Sequence, residues 1–152
     1  MANVVPSSLA VIVVVEDQPD DVFFVRRALE KAHIGNPIIA FATAEQARRY
    51  LQESRALPAL FILDVNLPGG ESGIAFLRWL RERRSPLGST PAMMLTVSES
   101  PADQDEAAML GSIYFLHKPV TEQAITAAVD SLGCVVTTLS GVTTLRTIER
   151  QR

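Results

Sequence analysis

Two apolar segments of this sequence end directly in carboxylates. The run 59–63 is followed by Asp64, and the run 9–15 is followed by Glu16 and Asp17. Runs of this length that are rich in large or β-branched apolar residues are typical of buried strands. Carboxylates fixed at the carboxyl ends of such strands lie where open α/β sheets bind their ligands. These acidic residues therefore predict a site for a divalent cation and a phosphate group.

The chemistry that this set could support is phosphoryl transfer to a carboxylate. Neighbouring carboxylates repel one another, and Mg²⁺ (or Mn²⁺), a hard cation that prefers oxygen ligands, would offset that repulsion. Asp64 could then attack a phosphoryl group and form an aspartyl phosphate. Two further strand-end residues suit the transferred group, because the Lys118 ammonium supplies a point charge for its oxygens and the Thr96 hydroxyl supplies a donor.

Alternating strand and helix patterns must position these residues. Apolar runs predict five strands, at residues 9–15, 37–41, 59–63, 91–95 and 113–116. Helical spacing, N-cap residues and acidic first turns predict a helix after each strand, with starts at or near Pro19, Thr43, Ile74, Ser100 and Thr121. Thr43 and Gln46 also form a capping-box pattern. This alternation predicts an α/β fold, a doubly wound parallel sheet with helices on both faces.

Composition excludes several classes of protein. A chain of 152 residues is expected to form one domain, and a net charge of −3 with a pI near 5.4 gives no support for a nucleic-acid-binding surface. The single cysteine, Cys134, excludes an internal disulfide and a multi-cysteine zinc site. The longest apolar run is too short to cross a bilayer, and the first eight residues lack the Lys or Arg of a signal peptide. We expect a cytoplasmic protein without membrane or nucleic-acid contacts.

Taken together, these motifs resemble the receiver domains of two-component response regulators. The matching segments are Val15-Glu16-Asp17, Leu63 to Gly69, Leu95-Thr96-Val97-Ser98 and Phe115 to Pro119. They occur in the family's order on the expected elements, and the resemblance covers roughly residues 9–132. The segments from Glu16 to Phe23 and from Asn66 to Gly69 look most like single-domain regulators paired with bacterial phytochrome kinases.

The resemblance implies a flavodoxin-like (βα)5 fold with strand order 2-1-3-4-5. It implies that Asp64 accepts a phosphoryl group from a histidine kinase or a phosphotransfer protein in a Mg²⁺-dependent reaction, and loses it slowly by hydrolysis. Such a protein is a phosphoacceptor that signals by contact with a downstream protein, and not an enzyme acting on other molecules. The remaining implied roles are metal binding by the Asn66 backbone carbonyl, switching by Thr96 and Phe115, and rate tuning by Asn66 and Ser98.

Residues 133–152 fall outside the resemblance, so we place the receiver at residues 1–132, with its core at 9–132. Ser140-Gly141 between two β-branched runs predicts a hairpin turn. The spacing of the apolar residues in the same segment also fits a helix, and a frayed end is a third alternative. We expect this tail to act in self-association and so to give a homodimer.

Two departures from the family pattern bear on access to Asp64 and on partner docking. Val97 follows Thr96 where many members carry a smaller residue, and the loop 69–73 is one residue longer than usual. A pseudo-receiver that binds partners without phosphate is therefore an alternative. A haloacid dehalogenase-type phosphatase is another, although that family needs an Asp where this chain has Asn66. A flavodoxin-like nucleotide-binding protein would need a Walker loop or a G-x-G-x-x-G motif, and the sequence contains neither.

Other polar residues are expected to have structural roles only. Asp20 and Asp21 are assigned to the dipole of the first helix. The Arg81-Glu82-Arg83-Arg84 run is interpreted as a solvated helix end, and His33 and His117 as exposed side chains.

Overall fold

Five parallel strands form the centre of the structure, a computed structural model that describes residues 10–55, 57–97, 100–111 and 113–147. The strands are β1 (Ile12–Val15), β2 (Ile38–Phe41), β3 (Leu60–Asp64), β4 (Ala92–Thr96) and β5 (Ile113–His117). Their order in the sheet is β2-β1-β3-β4-β5, and every neighbouring pair is parallel. The predicted fold class and strand order are confirmed.

A helix follows each strand of this sheet. The helices are α1 (Pro19–Lys31), α2 (Ala44–Ser54), α3 (Gly73–Arg81), α4 (Pro101–Met109) and α5 (Glu122–Leu132). Side-chain oxygens at the N-caps of the last four accept hydrogen bonds from first-turn N–H groups, and these caps are Thr43, Ser72, Ser100 and Thr121. Such a cap typically stabilises a helix by about 1 kcal/mol. In the capping box of α2, Gln46 accepts from the N–H of Ala42 instead of that of Thr43.

The sheet is buried on both faces, because side chains along each strand alternate between two apolar clusters. Val14 and Ile62 face the cluster that α1 and α5 complete, while Val13 and Leu63 face the cluster that α2 and α3 complete. Burial of each large apolar side chain contributes about 1.5–3 kcal/mol. The central strands are therefore the rigid part of the fold, and their carboxyl ends are fixed in position. No helix in the described part of the chain has the length and apolar character needed to cross a bilayer.

Two strands extend one residue beyond their predicted ends, into the polar residues of interest. β3 includes Asp64 and β4 includes Thr96, and the ladder pairs Asp64 with Leu95 and Thr96 with His117. The apolar pattern stops at the last apolar residue, whereas the pairing of the backbones continues beyond it. Asp64 and Thr96 therefore have strand backbone, which restricts the directions their side chains can take.

The described chain ends in an antiparallel hairpin, β6 (Val135–Leu139) and β7 (Val142–Arg146). Its turn residues Ser140 and Gly141 have φ values of 55° and 80°. Positive φ at both positions is the requirement of a type I′ turn, whose twist matches that of the flanking strands. Of the alternatives that the sequence leaves open for this segment, the structure has the hairpin.

Asn36, shortly before β2, fixes this hairpin to the sheet. Its buried amide group donates to the carbonyl oxygens of Ala10 and Leu145, both at 2.8 Å, and its oxygen accepts from the N–H of Leu145 at 2.7 Å. Thr143 adds backbone hydrogen bonds of 2.7 and 2.8 Å to residues 33–35. The outer edge of β7 is therefore occupied, and the Leu145 side chain lies in the core.

The prediction of a solvated helix end at residues 81–84 is wrong for Arg81. Its guanidinium donates to backbone carbonyl oxygens at distances between 2.6 and 3.2 Å, those of Gly88, Thr90, Leu110 and Gly111. Burial lowers the pKa of this guanidinium. The carbonyls belong to the connections that precede β4 and β5, so only the folded chain brings them to the end of α3.

Candidate functional site

The side chains predicted to do chemistry lie together at one edge of the sheet. They are located at the carboxyl ends of β1, β3, β4 and β5. Glu16 and Asp17 follow β1, Asp64 and Thr96 end β3 and β4, and Lys118 follows β5. One carboxylate oxygen from each of Glu16, Asp17 and Asp64 lies within 4.8 Å of the others. Glu16 and Asp64 are buried and Asp17 is half-buried, so this acidic cluster meets solvent on the Asp17 side.

Lys118 supplies the positive charge of the cluster. Its ammonium nitrogen lies 2.7 Å from Glu16 Oε1, 3.1 Å from Asp21 Oδ2 and 3.3 Å from Asp64 Oδ2. Burial by itself would lower the pKa of this ammonium, but the surrounding carboxylates outweigh burial and hold the pKa above its ordinary value. Lys118 is therefore a fixed cation in contact with the predicted nucleophile.

Backbone contacts hold Asp64 in place. Its Oδ1 accepts the N–H of Asn66 at 3.1 Å, and the N–H of Val65 donates to Leu95 of β4 at 3.0 Å. The N–H of Gly73 donates to the Val65 carbonyl at 2.9 Å. A Cβ on Gly73 would lie 1.9 Å from the Asp64 carbonyl oxygen. Only glycine therefore lets the first turn of α3 pack this closely against the end of β3.

The donor set of the acidic cluster fits a hard divalent cation. All its members are carboxylates, which are ligands that Mg²⁺ prefers. Glu16 Oε1 is buried and lies 2.7 Å from the Lys118 ammonium, and it accepts no hydrogen bond from any other described residue. An additional cation beside this oxygen would give it a further partner of opposite charge. The cation would also balance the negative charge of the cluster that the single Lys118 ammonium leaves uncompensated.

Glu16 carries an unfavourable negative charge in the metal-free protein. Burial raises the pKa of its carboxyl group, the Lys118 ammonium and a hydrogen bond from the Gln18 N–H lower it, and the Asp64 charge raises it again. The resulting pKa is about 7, against an ordinary value of 4.5. Between these two values, the folded protein binds a proton at Glu16 that the unfolded chain has already released.

We therefore expect Glu16 to make the metal-free protein less stable as the pH rises from about 5 to about 7. In EDTA, the unfolding free energy of the wild type should fall by about 1–3 kcal/mol more over this range than that of Glu16→Gln, which cannot titrate. Urea denaturation of both proteins at each pH measures the difference. Parallel pH profiles for the two proteins would contradict the expectation.

The other predicted site residues lie near the ends of β3, β4 and β5. Thr96 is buried, Asn66 is exposed, and Phe115 is half-buried. Phe115 lines a groove of about 410 Å³ between α4 and α5. Ser98 lies outside the described residues. The roles assigned to these residues stay predictions.

Asp21 belongs to the surroundings of Lys118, although it was not among the predicted site residues. It lies in the first turn of α1, where a negative charge favours the helix dipole as predicted. Its Oδ2 also accepts a hydrogen bond from Lys118 Nζ, which is 97 positions away in the sequence. A signal for this contact existed, because α1 begins at the same edge of the sheet at which Lys118 follows β5.

The two departures from the family pattern also lie beside the site. Val97 is 71% exposed. The longer loop contains a 3₁₀ turn, Pro68–Gly70, in which both glycines have positive φ. Arg48 of α2 forms an ion pair with Glu71 at 2.5 Å, which connects this loop to α2.

Known proteins share this fold. Residues 12–130 match the response regulator receiver domain family. The chain is 32% identical over 115 residues to the transcriptional regulatory protein GltR of Pseudomonas aeruginosa, covering 74% of this chain and 46% of that protein. The chain thus spans about half the length of the curated relatives it matches.

Two bacteriophytochrome response regulators have similar solved structures. RtBRR is 31% identical with a TM-score of 0.76, over 87% of this chain and 82% of that one. AtBRR is 29% identical with a TM-score of 0.75, over 87% of this chain and 98% of that one. The family match spans the whole five-stranded sheet and every strand end that carries the acidic cluster and its lysine. This chain therefore belongs to the receiver domains of two-component response regulators.

Proposed function

We propose that Asp64 accepts a phosphoryl group from a histidine kinase, or from a phosphotransfer protein, in a Mg²⁺-dependent reaction. The observation that carries this proposal is the position of Asp64 Oδ2, which lies 3.3 Å from Lys118 Nζ and within a cluster of carboxylates suited to a cation. A carboxylate nucleophile, a cation site and a fixed positive charge are the parts that phosphoryl transfer to a carboxylate requires.

In this proposal, a carboxylate oxygen of Asp64 forms a bond to phosphorus while the bond from phosphorus to the donor atom breaks. Glu16, Asp17 and Asp64 would hold Mg²⁺ together with the backbone carbonyl of Asn66. The bound cation supplies charge neutralisation for the phosphoryl oxygens. The later loss of phosphate by hydrolysis returns Asp64 to its free carboxylate, so the protein acts as a phosphoacceptor and does not turn over an external substrate.

The same proposal assigns a switch to the residues around the transferred group. Lys118 and Thr96 bind phosphoryl oxygens, and Phe115 changes rotamer together with Thr96. Because Phe115 lines the groove between α4 and α5, this change would alter the surface that a downstream protein meets. Asn66 and Ser98 would tune the rate of hydrolysis.

We propose a phytochrome-type histidine kinase as the donor and a downstream protein as the target. Support comes from the similarity to RtBRR and AtBRR, of which this chain covers 82% and 98%. In line with this coverage, we propose that residues 1–132 form a single receiver domain and that the hairpin is an extension of it. We further propose that this receiver signals in the cytoplasm by protein contact.

A small acyl-phosphate donor tests the phosphoacceptor directly. Incubation of the protein with acetyl phosphate and MgCl₂ should add one phosphoryl group, seen by intact mass spectrometry, and EDTA should prevent the gain. Asp64→Asn should gain nothing, because an amide is not a nucleophile for this reaction. Asp105→Asn, which removes an exposed carboxylate of α4, is the matched control and should be labelled as the wild type is.

The alternatives predict different results in the same assay. A wild-type protein that gains no phosphoryl group from any donor and binds no Mg²⁺ in calorimetry would support the pseudo-receiver. Rapid release of phosphate from phosphate esters would support the haloacid dehalogenase-type phosphatase.

We also propose that the hairpin forms a homodimer through the outer edge of β6. In the register of the hairpin, the backbone N–H and C=O groups of Val136 and Thr138 point away from β7, and they have no hydrogen bond to any described residue. Charged residues and proline usually protect an edge strand from pairing with another chain. β6 contains neither. Val136 and Leu139 are 45% and 76% exposed.

A second copy of this chain fits that edge because the edge is complementary to itself. When two β6 strands pair in antiparallel orientation about Thr137, Val136 of one copy lies opposite Thr138 of the other, and twofold symmetry repeats the pair. The result is a continuous sheet of two hairpins, in which the open backbone groups are paired.

Sedimentation velocity tests the dimer. The wild type should sediment as a dimer. Thr138→Pro should sediment as a monomer, because proline has no N–H to donate across the outer edge of β6. The substitution leaves the hydrogen bonds between β6 and β7 in place. Arg146→Ala, on the other strand of the hairpin, is the control and should remain dimeric. A monomeric wild type, or unchanged sedimentation after truncation at Leu132, would contradict the proposal.

A further inference from the structure

We infer that Asp21 is a positioning residue that holds the Lys118 ammonium at the phosphoryl site, an inference that rests on the proposed function. Asp21 Oδ2 accepts a hydrogen bond from Lys118 Nζ at 3.1 Å. The side chains of Asp21 and Lys118 are 25% and 12% exposed, so solvent screens their interaction less than it screens a surface ion pair.

Asp21 differs from the other carboxylates that contact Lys118. Glu16 and Asp64 belong to the acidic cluster, whereas Asp21 does not. When a cation and a phosphoryl group bind, the oxygens of Glu16 and Asp64 acquire new partners. Asp21 is then the one carboxylate among these contacts that stays available to the ammonium.

The backbone of Asp21 is well placed for this role. It lies in the first turn of α1, and that helix is anchored in the core by Val25 and Leu29. The lysine side chain, by contrast, is a flexible stem that carries a compact charge. A carboxylate on a rigid helix therefore restricts the positions that the ammonium can occupy and keeps it beside Asp64.

A double-mutant cycle with Lys118 tests this inference. Asp21→Asn keeps the shape of the side chain and removes its charge, and Asp20→Asn is the matched control, because the exposed Asp20 lies in the same helical turn. We expect Asp21→Asn to lower the rate constant of phosphorylation by acetyl phosphate by about threefold to tenfold. Asp20→Asn should change it by less than about twofold. In a Lys118→Ala background, Asp21→Asn should have no further effect.

A role in helix stability alone would give a different pattern. Equal losses for Asp20→Asn and Asp21→Asn, or the same fold-loss for Asp21→Asn with and without Lys118, would overturn the inference. A second double-mutant cycle on Asp21 and Lys118 compares the midpoints of urea denaturation in EDTA. This cycle tests the inference independently of the proposed function. If the wild type takes no phosphoryl group, the proposed function fails, and coupled midpoints would still show that Asp21 holds Lys118. Additive midpoints would overturn the inference even if Asp64 is phosphorylated.

Discussion

Gly73→Ala is expected to destabilise the protein severely. A Cβ at this position would lie 1.9 Å from the Asp64 carbonyl oxygen, 2.8 Å from the Asp64 carbonyl carbon and 3.2 Å from Met94 Cε. The backbone of β3 cannot move aside without losing its pairing with β4, so α3 would have to shift away from the sheet. We expect a loss of about 3 kcal/mol or more in the unfolding free energy, measured by urea denaturation.

Gly111→Ala is the control for this prediction. Gly111 has a φ of 69°, and a Cβ there would have no atom within 4 Å. Its replacement should cost only the left-handed backbone conformation, about 1–2 kcal/mol. If Gly73→Ala loses no more stability than Gly111→Ala, then the close approach of α3 to the end of β3 is not the reason that position 73 requires glycine. Any folded Gly73→Ala protein should also be phosphorylated more slowly, because the shift of α3 would break the hydrogen bond from the Gly73 N–H to the Val65 carbonyl, directly after Asp64.

Lys118→Met is expected to lower both stability and phosphorylation. The methionine side chain has similar length and no charge, so Glu16, Asp21 and Asp64 would lose the cation that they contact. Removing one partner from buried ion pairs typically costs about 3–5 kcal/mol, because the remaining charges stay buried without compensation. Urea denaturation in EDTA should show this loss, and the acetyl phosphate assay should show slower labelling.

Added Mg²⁺ should stabilise Lys118→Met more than it stabilises the wild type. The cation replaces part of the missing positive charge in the variant, whereas in the wild type it binds beside an existing ammonium. Lys31→Met, at the exposed end of α1, is the matched control and should change stability by less than about 0.5 kcal/mol. Equal stabilisation of both proteins by Mg²⁺ would show that Lys118 and the metal act independently.

Most of the sheet and the edge that carries the acidic cluster could be predicted from the sequence, because the signals are local. The apolar runs that form β1, β3 and β4 are continuous, since these strands are buried on both faces. Asp64 follows such a run directly, and Lys118 comes two residues after the apolar part of β5, so parallel pairing alone places them at one edge. The start of α5 was equally clear, because Thr121 caps it as expected.

The features that were not predicted depend on contacts between distant parts of the chain. Arg81 has the sequence context of an exposed helix end, but carbonyls of two other connections surround it in the fold. Asp21 has a sufficient local explanation in the helix dipole, and this hid its contact with Lys118. For residues 135–146, local preference leaves both helix and hairpin possible, and the hydrogen bonds to Asn36 favour the hairpin.

The hydrogen bonds of Asn36 have a consequence for the synthesis of this protein. Asn36 leaves the ribosome 109 residues before Leu145, its partner in two of those bonds. Until Leu145 emerges, a nascent sheet that buries Asn36 would leave polar groups unpaired, which costs about 1–3 kcal/mol for each group. A ribosome-bound chain that ends before Leu145 should therefore unfold under a lower pulling force than the released protein, even though every strand of the main sheet has already been made.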